Sequence, residues 1–397
     1  MFKHIMKLTW NRRRSNALLV VEVAAAFLVL FILLAFLVYR WDNFRSPLGF
    51  QYKDVWQLSF SVSGGWQESD GTALQQVLKN LRALRDVEAA HVIDIPPFRN
   101  WNWRSSYGPA EATVSSWINS MSDGAPQALG VELVEGRWFG EPDHGQPYLA
   151  VVVNRRFAEA AYGSVSEAVG VNINNTPRDS QDPREYRVVG VFEDFRQRGE
   201  YFQLIPYVIR QFPHQDLQAP TRGAFVKVSP ETQAAFEEKV IETIKASAPQ
   251  WDVPVTPWER TRMLHHRGVL TPIRIMATVA GFLLLMVVLG LIGVLWQDVV
   301  RRTQELGLRR ALGATSGSLR MQVVAEMIAV ALFGMLVGTV VAVQFPLLEL
   351  FEEVNWQTLP IALPGAAGLV VILIVISSVY PSWLASRRTP ADALRYE

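Results

Sequence analysis

No cysteine occurs in the 397 residues. Disulfides are excluded, so any large domain outside the cytoplasm must be held by its apolar core. No G-x-x-x-x-G-K-[ST] stretch occurs either, and these residues cannot cradle nucleotide phosphates in a P-loop. H-E-x-x-H spacing is absent. His265 and His266 are adjacent, with Glu259 nearby, and neighbouring residues point to different sides of a helix or strand, so they read as solvated or interfacial histidines rather than as metal ligands. Glu193 and Asp194 fail as an acid pair for the same reason. No Ser/His/Asp order stands out, so the chain reads as non-catalytic, with no metal or cofactor bound to it. Basic residues are missing from one short apolar-flanked loop, FPLLELFEEVNWQTLP, which holds Glu349, Glu352 and Glu353.

What is present is lipid-like. Half of the residues are apolar, and they concentrate in windows 17–39, 269–296, 323–345 and 360–384. At a rise of about 1.5 Å per residue each window crosses a hydrocarbon core of ~30 Å. The backbone must satisfy its own hydrogen bonds there, so four transmembrane helices are expected. The first window follows basic residues, as a signal peptide does, but its run is too long and AFLVYRWDNF offers no small-x-small cleavage site; it reads as a retained anchor. Lys3, Lys7, Arg12, Arg13, Arg14, Arg301, Arg302, Arg309, Arg310, Arg320, Arg387, Arg388 and Arg395 flank the windows on one side, accompanied only by Asp298, Glu305, Asp392 and Glu397. The positive-inside bias then puts residues 1–16, 297–322 and 385–397 in the cytoplasm, with 40–268 and 346–359 outside.

The large outer segment reads as α/β. VWQLSFSV (55–62) alternates like a strand, LQQVLKNLRALRDV (74–87) repeats at helical spacing, and AAHVI (89–93) follows as a strand. AFVKVS, ETQAAFEEKVIETIKASAP and WDVPVTPW repeat that order between 224 and 258, so one subdomain is built from both ends of the segment. LAVVVN (149–154) and YRVVGVFEDF (186–195) are strand signals of an insertion between them. The stretch 95–123 is rich in Trp and broken by Pro and Gly. It is read two ways: as an aromatic patch for an apolar ligand or the membrane surface, or as filler in the seam between subdomains. Glu22 and Glu326 lie just inside the first and third windows. Charges inside a membrane mark function by default, but these are near enough the interface to snorkel or to pair with Arg12–Arg14 or Arg320. Gly334 and Gly338 form a small-xxx-small pattern that lets helices approach closely, either in a dimer or against a neighbouring span.

Between the second and third windows lies RRTQELGLRRALGATSGSLR. Leu308, Ala311, Leu312 and Leu319 fall at helical spacing, ringed by Arg301, Arg302, Arg309 and Arg310. By itself this is a positive-inside loop with an interfacial helix, or a docking helix. The stretch resembles the R-T-x-E-[IL]-G-[IL]-R-[KR]-A-[LI]-G-A segment of MacB/FtsX-like ABC transporter permeases, matching at Thr303, Glu305, Leu306, Gly307, Leu308, Arg309, Arg310, Ala311, Leu312, Gly313 and Ala314. RRTPADALRYE at 387–397 is similar to the tail of the same family, and Glu326 with GMLVG (334–338) resembles its third span.

The resemblance implies a four-span permease with a porter-like subdomain at 50–124 and 216–260 and an inserted sabre-like one at 125–215. It implies that residues 303–314 couple to a cytoplasmic ABC ATPase carrying ATP and magnesium. In MacB that ATPase is fused ahead of the first span, whereas only sixteen residues precede it here, so a separate ATPase subunit is expected. The resemblance places the chain itself in the bacterial inner membrane, with the lipid, a second copy or a similar permease, and a periplasmic adaptor as the other implied partners; nucleic acid is not among them. Export of a drug, peptide or similar substrate is the implied work. Signalling to an outer partner such as a cell-wall hydrolase, and lipoprotein extraction, stand as alternatives.

Overall fold

The computed structural model describes residues 13–387 except 63–64, 100–102, 110–111, 174–184, 214–220, 222, 233–234 and 302–314. The chain divides into Asn43–Gly268 and a second unit made of Met1–Asp42 with Val269–Glu397. Helix α1 (Arg13–Phe44) comes first, its apolar run from Ala17 to Tyr39 interrupted only by Glu22.

In the α/β unit, β1 (Val55–Ser59), β2 (Ser61–Val62), α2 (Glu68–Arg82) and β3 (Val87–Val92) are followed by β4 (Trp103–Tyr107), β5 (Val114–Met121), β6 (Leu133–Gly136) and β7 (Tyr148–Asn154). Then come α3 (Arg155–Tyr162), β8 (Glu185–Phe192), β9 (Tyr207–Gln211), β10 (Gly223–Val228), α4 (Phe236–Ser247), β11 (Trp251–Asp252) and β12 (Val255–Pro257). α2 buries Leu74, Val77, Leu78 and Leu81, a spacing that places them on one face. At its start the Asp70 carboxylate accepts from the Gln67 amide at 2.9 Å and from Trp251 Nε1 at 2.8 Å, which ties α2 to β11. α4 buries Phe236, Val240 and Ile244 against the same layer. The sheet beneath is antiparallel, in the order β12-β1-β10-β3. β10, from the second strand–helix–strand repeat, is inserted between β1 and β3 of the first.

The insertion is a mixed sheet in the order β4-β5-β9-β7-β8-β6. β7 carries Ala150 and Val152 on one face and Val151 and Val153 on the other, all buried, which is why LAVVVN reads as a continuous apolar run rather than an alternating one. α3 covers one face through Phe157, Ala158 and Ala161. Its N-cap Asn154 accepts from Phe157 N at 3.1 Å and Tyr207 N at 2.8 Å. The other face shares a core with the four-stranded sheet, where Trp117, Tyr207 and Ile209 meet Val55, Phe225 and Trp258.

The boundary expected between 124 and 125 does not separate the sheets. β4 and β5 pair with each other and β5 pairs with β9, so residues 103–107 and 114–121 belong to the inserted sheet. TVSSWINSM is β-branched and apolar enough for a strand, but it does not alternate, because its later residues are buried on both faces. Trp117 is buried in the core shared by the two sheets, while Trp103 is 44% exposed on the edge strand.

The second unit continues with α5 (Trp258–Arg301), α6 (Ser316–Ala342) and α7 (Leu359–Arg387). Among the described residues, four helices are long and apolar enough to cross a membrane, in segments Leu19–Phe44, Trp258–Gly290, Met327–Leu347 and Leu359–Ser377. α5 begins well before the expected 269. Hydropathy marks where lipid begins, whereas the helix starts where Trp258 is buried, donating from Nε1 to Gln57 Oε1 at 3.1 Å.

Candidate functional site

The membrane unit is organised around α1. Leu19, Val23, Phe27, Leu30 and Phe31 are buried among Val330, Ala331 and Met335 of α6 and Ala362, Ala366 and Val370 of α7. Gly334 and Gly338 lie one turn apart against α1. A Cβ at Gly334 would stand 3.0 Å from the Val20 carbonyl oxygen and from Val23 Cβ, and one at Gly338 would stand 2.6 Å from Phe27 Cδ1. Of the two placements left open, these contacts are with a neighbouring span of the same protomer. In lipid such close approach supplies the dispersion contact that a hydrophobic driving force cannot.

Glu22 is half-buried, and its carboxylate oxygens lie 2.7 and 2.8 Å from where a Cβ on Gly290 of α5 would be. The missing side chain is what admits the carboxylate. Arg12 and the side chains of Arg13, Arg14 and Arg320, expected as its partners, lie outside the described residues, as does the side chain of Glu326 on α6. At the other end of α1, Arg40 Nη2 donates to Glu353 Oε1 at 2.8 Å and the Tyr39 hydroxyl donates to Glu352 Oε1 at 3.0 Å. The acidic loop whose charge indicates topology therefore also holds the first span.

The coupling residues Thr303, Glu305, Leu306, Gly307, Leu308, Arg309, Arg310, Ala311, Leu312, Gly313 and Ala314 lie outside the described residues. α5 ends at Arg301 and α6 begins at Ser316 on either side of them.

The sequence reading missed a second group, in the α/β unit beside the two chain segments that lead into the first and second spans. Glu200 is 5% exposed and is paired through Oε1 with Arg262, whose Nε donates at 2.6 Å, and through Oε2 with His266 Nε2 at 3.0 Å. Burial by itself would raise the Glu200 carboxyl. Hydrogen bonds from His266, from its own backbone and from Arg262, together with the Arg262 charge, outweigh burial and hold it below the ordinary carboxylate range. Of the solvated and interfacial placements expected for the pair, the solvated one does not hold for His265, which is buried between Phe98 and Phe202 at ring-centroid distances of 6.3 and 5.7 Å. Burial, the largest influence, lowers its pKa. Adjacent histidines diverge as expected, but one faces an aromatic core and the other a carboxylate. Glu259 is engaged elsewhere, accepting from Asp54 N at 2.7 Å.

The family model described as MacB-like periplasmic core domain matches residues 23–243, and the one described as FtsX-like permease C-terminal matches residues 277–390. The macrolide export ATP-binding/permease protein MacB of Bdellovibrio bacteriovorus is 23% identical over 358 residues, which cover 84% of this chain and 52% of that protein. The chain thus spans about half the length of that relative. An uncharacterized ABC transporter permease of Bacillus subtilis, YvrN, is 23% identical over 291 residues, 67% of each chain. The crystal structure of the periplasmic region of MacB from Actinobacillus actinomycetemcomitans aligns with a TM-score of 0.38 at 13% identity, over 56% of this chain and 97% of that one. Four apolar helices, an α/β domain between the first two of them, and two family matches that together take in most of the chain lead to one assignment: the chain belongs to the MacB/FtsX-like ABC transporter permeases of the bacterial inner membrane.

Proposed function

We propose that this permease carries ATP-driven motion from a cytoplasmic ABC ATPase to its extracytoplasmic α/β unit, for export of a drug, peptide or similar substrate. The observation that carries the reading is α5. It runs as one helix from Trp258 to Arg301 with Pro272 inside it, its first turns in the α/β unit, its middle as the second span, and its end beside the basic segment 302–314. A helix satisfies its own backbone through lipid, here at every turn but the one where Pro272 donates no hydrogen bond, which suits it to act as a lever with one point of bending. ATP and magnesium belong to the ATPase, since these residues contain no P-loop. MacB is named for macrolide export, which makes an amphipathic drug the first substrate to test.

The membrane part of α5 supports a dimer. Its described buried residues are Ala280 and Val287, while Phe282, Leu285 and Leu289 are 61%, 55% and 56% exposed. A second permease, identical or similar, would cover part of that face, with lipid on the rest. A periplasmic adaptor is a further partner compatible with export.

The reading needs residues 40–268 and 346–359 outside the cytoplasm and both termini inside. The cysteine-free chain makes the test simple. Cysteines at Glu159, which is exposed, and at Thr315, beside the coupling segment, are treated in intact spheroplasts with an impermeant thiol reagent. Labelling of Glu159→Cys with protection of Thr315→Cys until lysis is the expected result. The reverse pattern would put the coupling segment outside, away from any ATPase, and end the proposal.

A further inference from the structure

The loop between β8 and β9 is anchored at both ends in the inserted sheet, and between those ends it grips two distant parts of the chain. Arg196, 4% exposed, donates from Nη1 to the Asn43 carbonyl at 2.7 Å and the Ser46 carbonyl at 3.0 Å, and from Nη2 to Asn43 Oδ1 at 3.2 Å and the Phe202 carbonyl at 2.5 Å. Residues 43–46 are the continuation of the first span. Four residues on, Glu200 takes Arg262 and His266, which stand just before the second span. Tyr201 closes the arrangement, stacking on Phe44 at 5.5 Å with an interplanar angle of 23° and meeting the His266 ring edge-on at 5.0 Å. Gly199 makes the turn possible: its φ is +81°, and a Cβ there would stand 3.1 Å from Phe98 Cδ1 and 3.5 Å from His265 Cδ2.

A buried guanidinium that donates to these four acceptors, three of them backbone carbonyls, holds chiefly backbone rather than a movable side chain. A buried carboxylate bonded at both oxygens fixes helix α5 in the same way. These are fixed joints. We propose that residues 195–202 are a clasp that makes the root of the first span and the root of the second move as one body with the six-stranded sheet, with Arg196 positioning the first root and Glu200 the second. The value of such a clasp to transport rests on the motion-transmission reading above: two levers would deliver one displacement to the inserted sheet.

The test uses the full chain in nanodiscs without nucleotide, so it stands even where the transmission reading fails. Spin labels are placed on Glu159 of α3, the helix packed on the six-stranded sheet, paired with either Pro47 at the first root or Met263 at the second, and distances are read by pulsed dipolar spectroscopy. A Glu141–Glu159 pair, with one label in the short helical turn 141–143 and the other in α3, reports the inserted subdomain alone. The unsubstituted clasp should give a single narrow distance for each pair. Arg196→Met should lose the narrow Pro47–Glu159 distance and spare Met263–Glu159, while Glu200→Ala should do the opposite. The Glu141–Glu159 distance should stay narrow in both. A general loss of stability would broaden every pair and would not give this crossed pattern. Should the buried Arg196→Met variant fail to fold, Glu200→Gln decides alone, since it keeps the side-chain shape and removes the charge. A narrow Met263–Glu159 distance in Glu200→Ala and Glu200→Gln, or broadening of the Glu141–Glu159 control alongside it, would overturn the clasp.

Discussion

Gly338→Ala is expected to lower the thermal unfolding temperature of the detergent-solubilised permease, and Gly338→Leu to lower it further. The same alanine at Gly281 leaves it unchanged or raises it. The two sites differ in what a side chain would meet. At Gly338 an added Cβ would come to 2.6 Å from the ring of Phe27, which is 1% exposed and packed within the helix bundle, so it has no free volume to move into. At Gly281 nothing lies within 4 Å. Overpacking of this kind costs about 1–3 kcal/mol, and α1 and α6 separated by a leucine's width lose contacts that lipid cannot replace. Where space is open, alanine brings its better helix propensity, about 1 kcal/mol in water. Gly334 should behave like Gly338, since its Cβ would meet backbone at Val20 as well as Val23. Equal responses at Gly338 and Gly281 would show that the glycines are incidental to packing.

The second large effect is expected at the coupling segment. Leu308 and Leu312 are four residues apart, so on a helix they share a face, and as docking anchors they would enter an apolar groove of the ATPase with arginines at its rim. Interface energy concentrates in a few desolvated anchors, and losing one costs about 2 kcal/mol or more, a factor of ~30 in affinity. Leu308→Asp or Leu312→Asp should therefore leave membrane insertion intact and sharply reduce recovery of the ATPase in a pull-down. Neutralising Arg301 and Arg302 should do less to recovery and more to its salt dependence. A helix that merely lies on anionic lipid gives the opposite order. Normal ATPase recovery with both aspartate variants would remove docking from the account.

The spans were legible because lipid imposes one rule on every residue within it, and the four-stranded layer because each repeat pairs an alternating strand with an amphipathic helix. Other features depended on partners far away in the chain. TVSSWINSM joins the inserted sheet because β9 lies beside it some ninety residues later, and nothing local records that pairing. A small-xxx-small pattern shows that Gly334 and Gly338 allow close approach without naming the helix that approaches. Arg196 and Glu200 sit in FEDFRQRGEYF, which reads as an ordinary polar loop, yet their partners at Asn43 and His266 are 153 and 66 residues away. The early start of α5 escaped notice because its first turns, WERTRMLHHRG, are too polar for a membrane window.

The central claim is that ATP moves the extracytoplasmic unit. The direct measurement places spin labels on Glu159 and Met263 of the α/β unit in both protomers of the permease, assembled with its ATPase in nanodiscs. Inter-protomer distances are then compared between the nucleotide-free and the vanadate-trapped state. The account predicts that distances between the two protomers shift for both labels together, while the Glu159–Met263 distance within a protomer stays the same. Vigorous permease-dependent ATP hydrolysis with identical inter-protomer distances in the two states would contradict it.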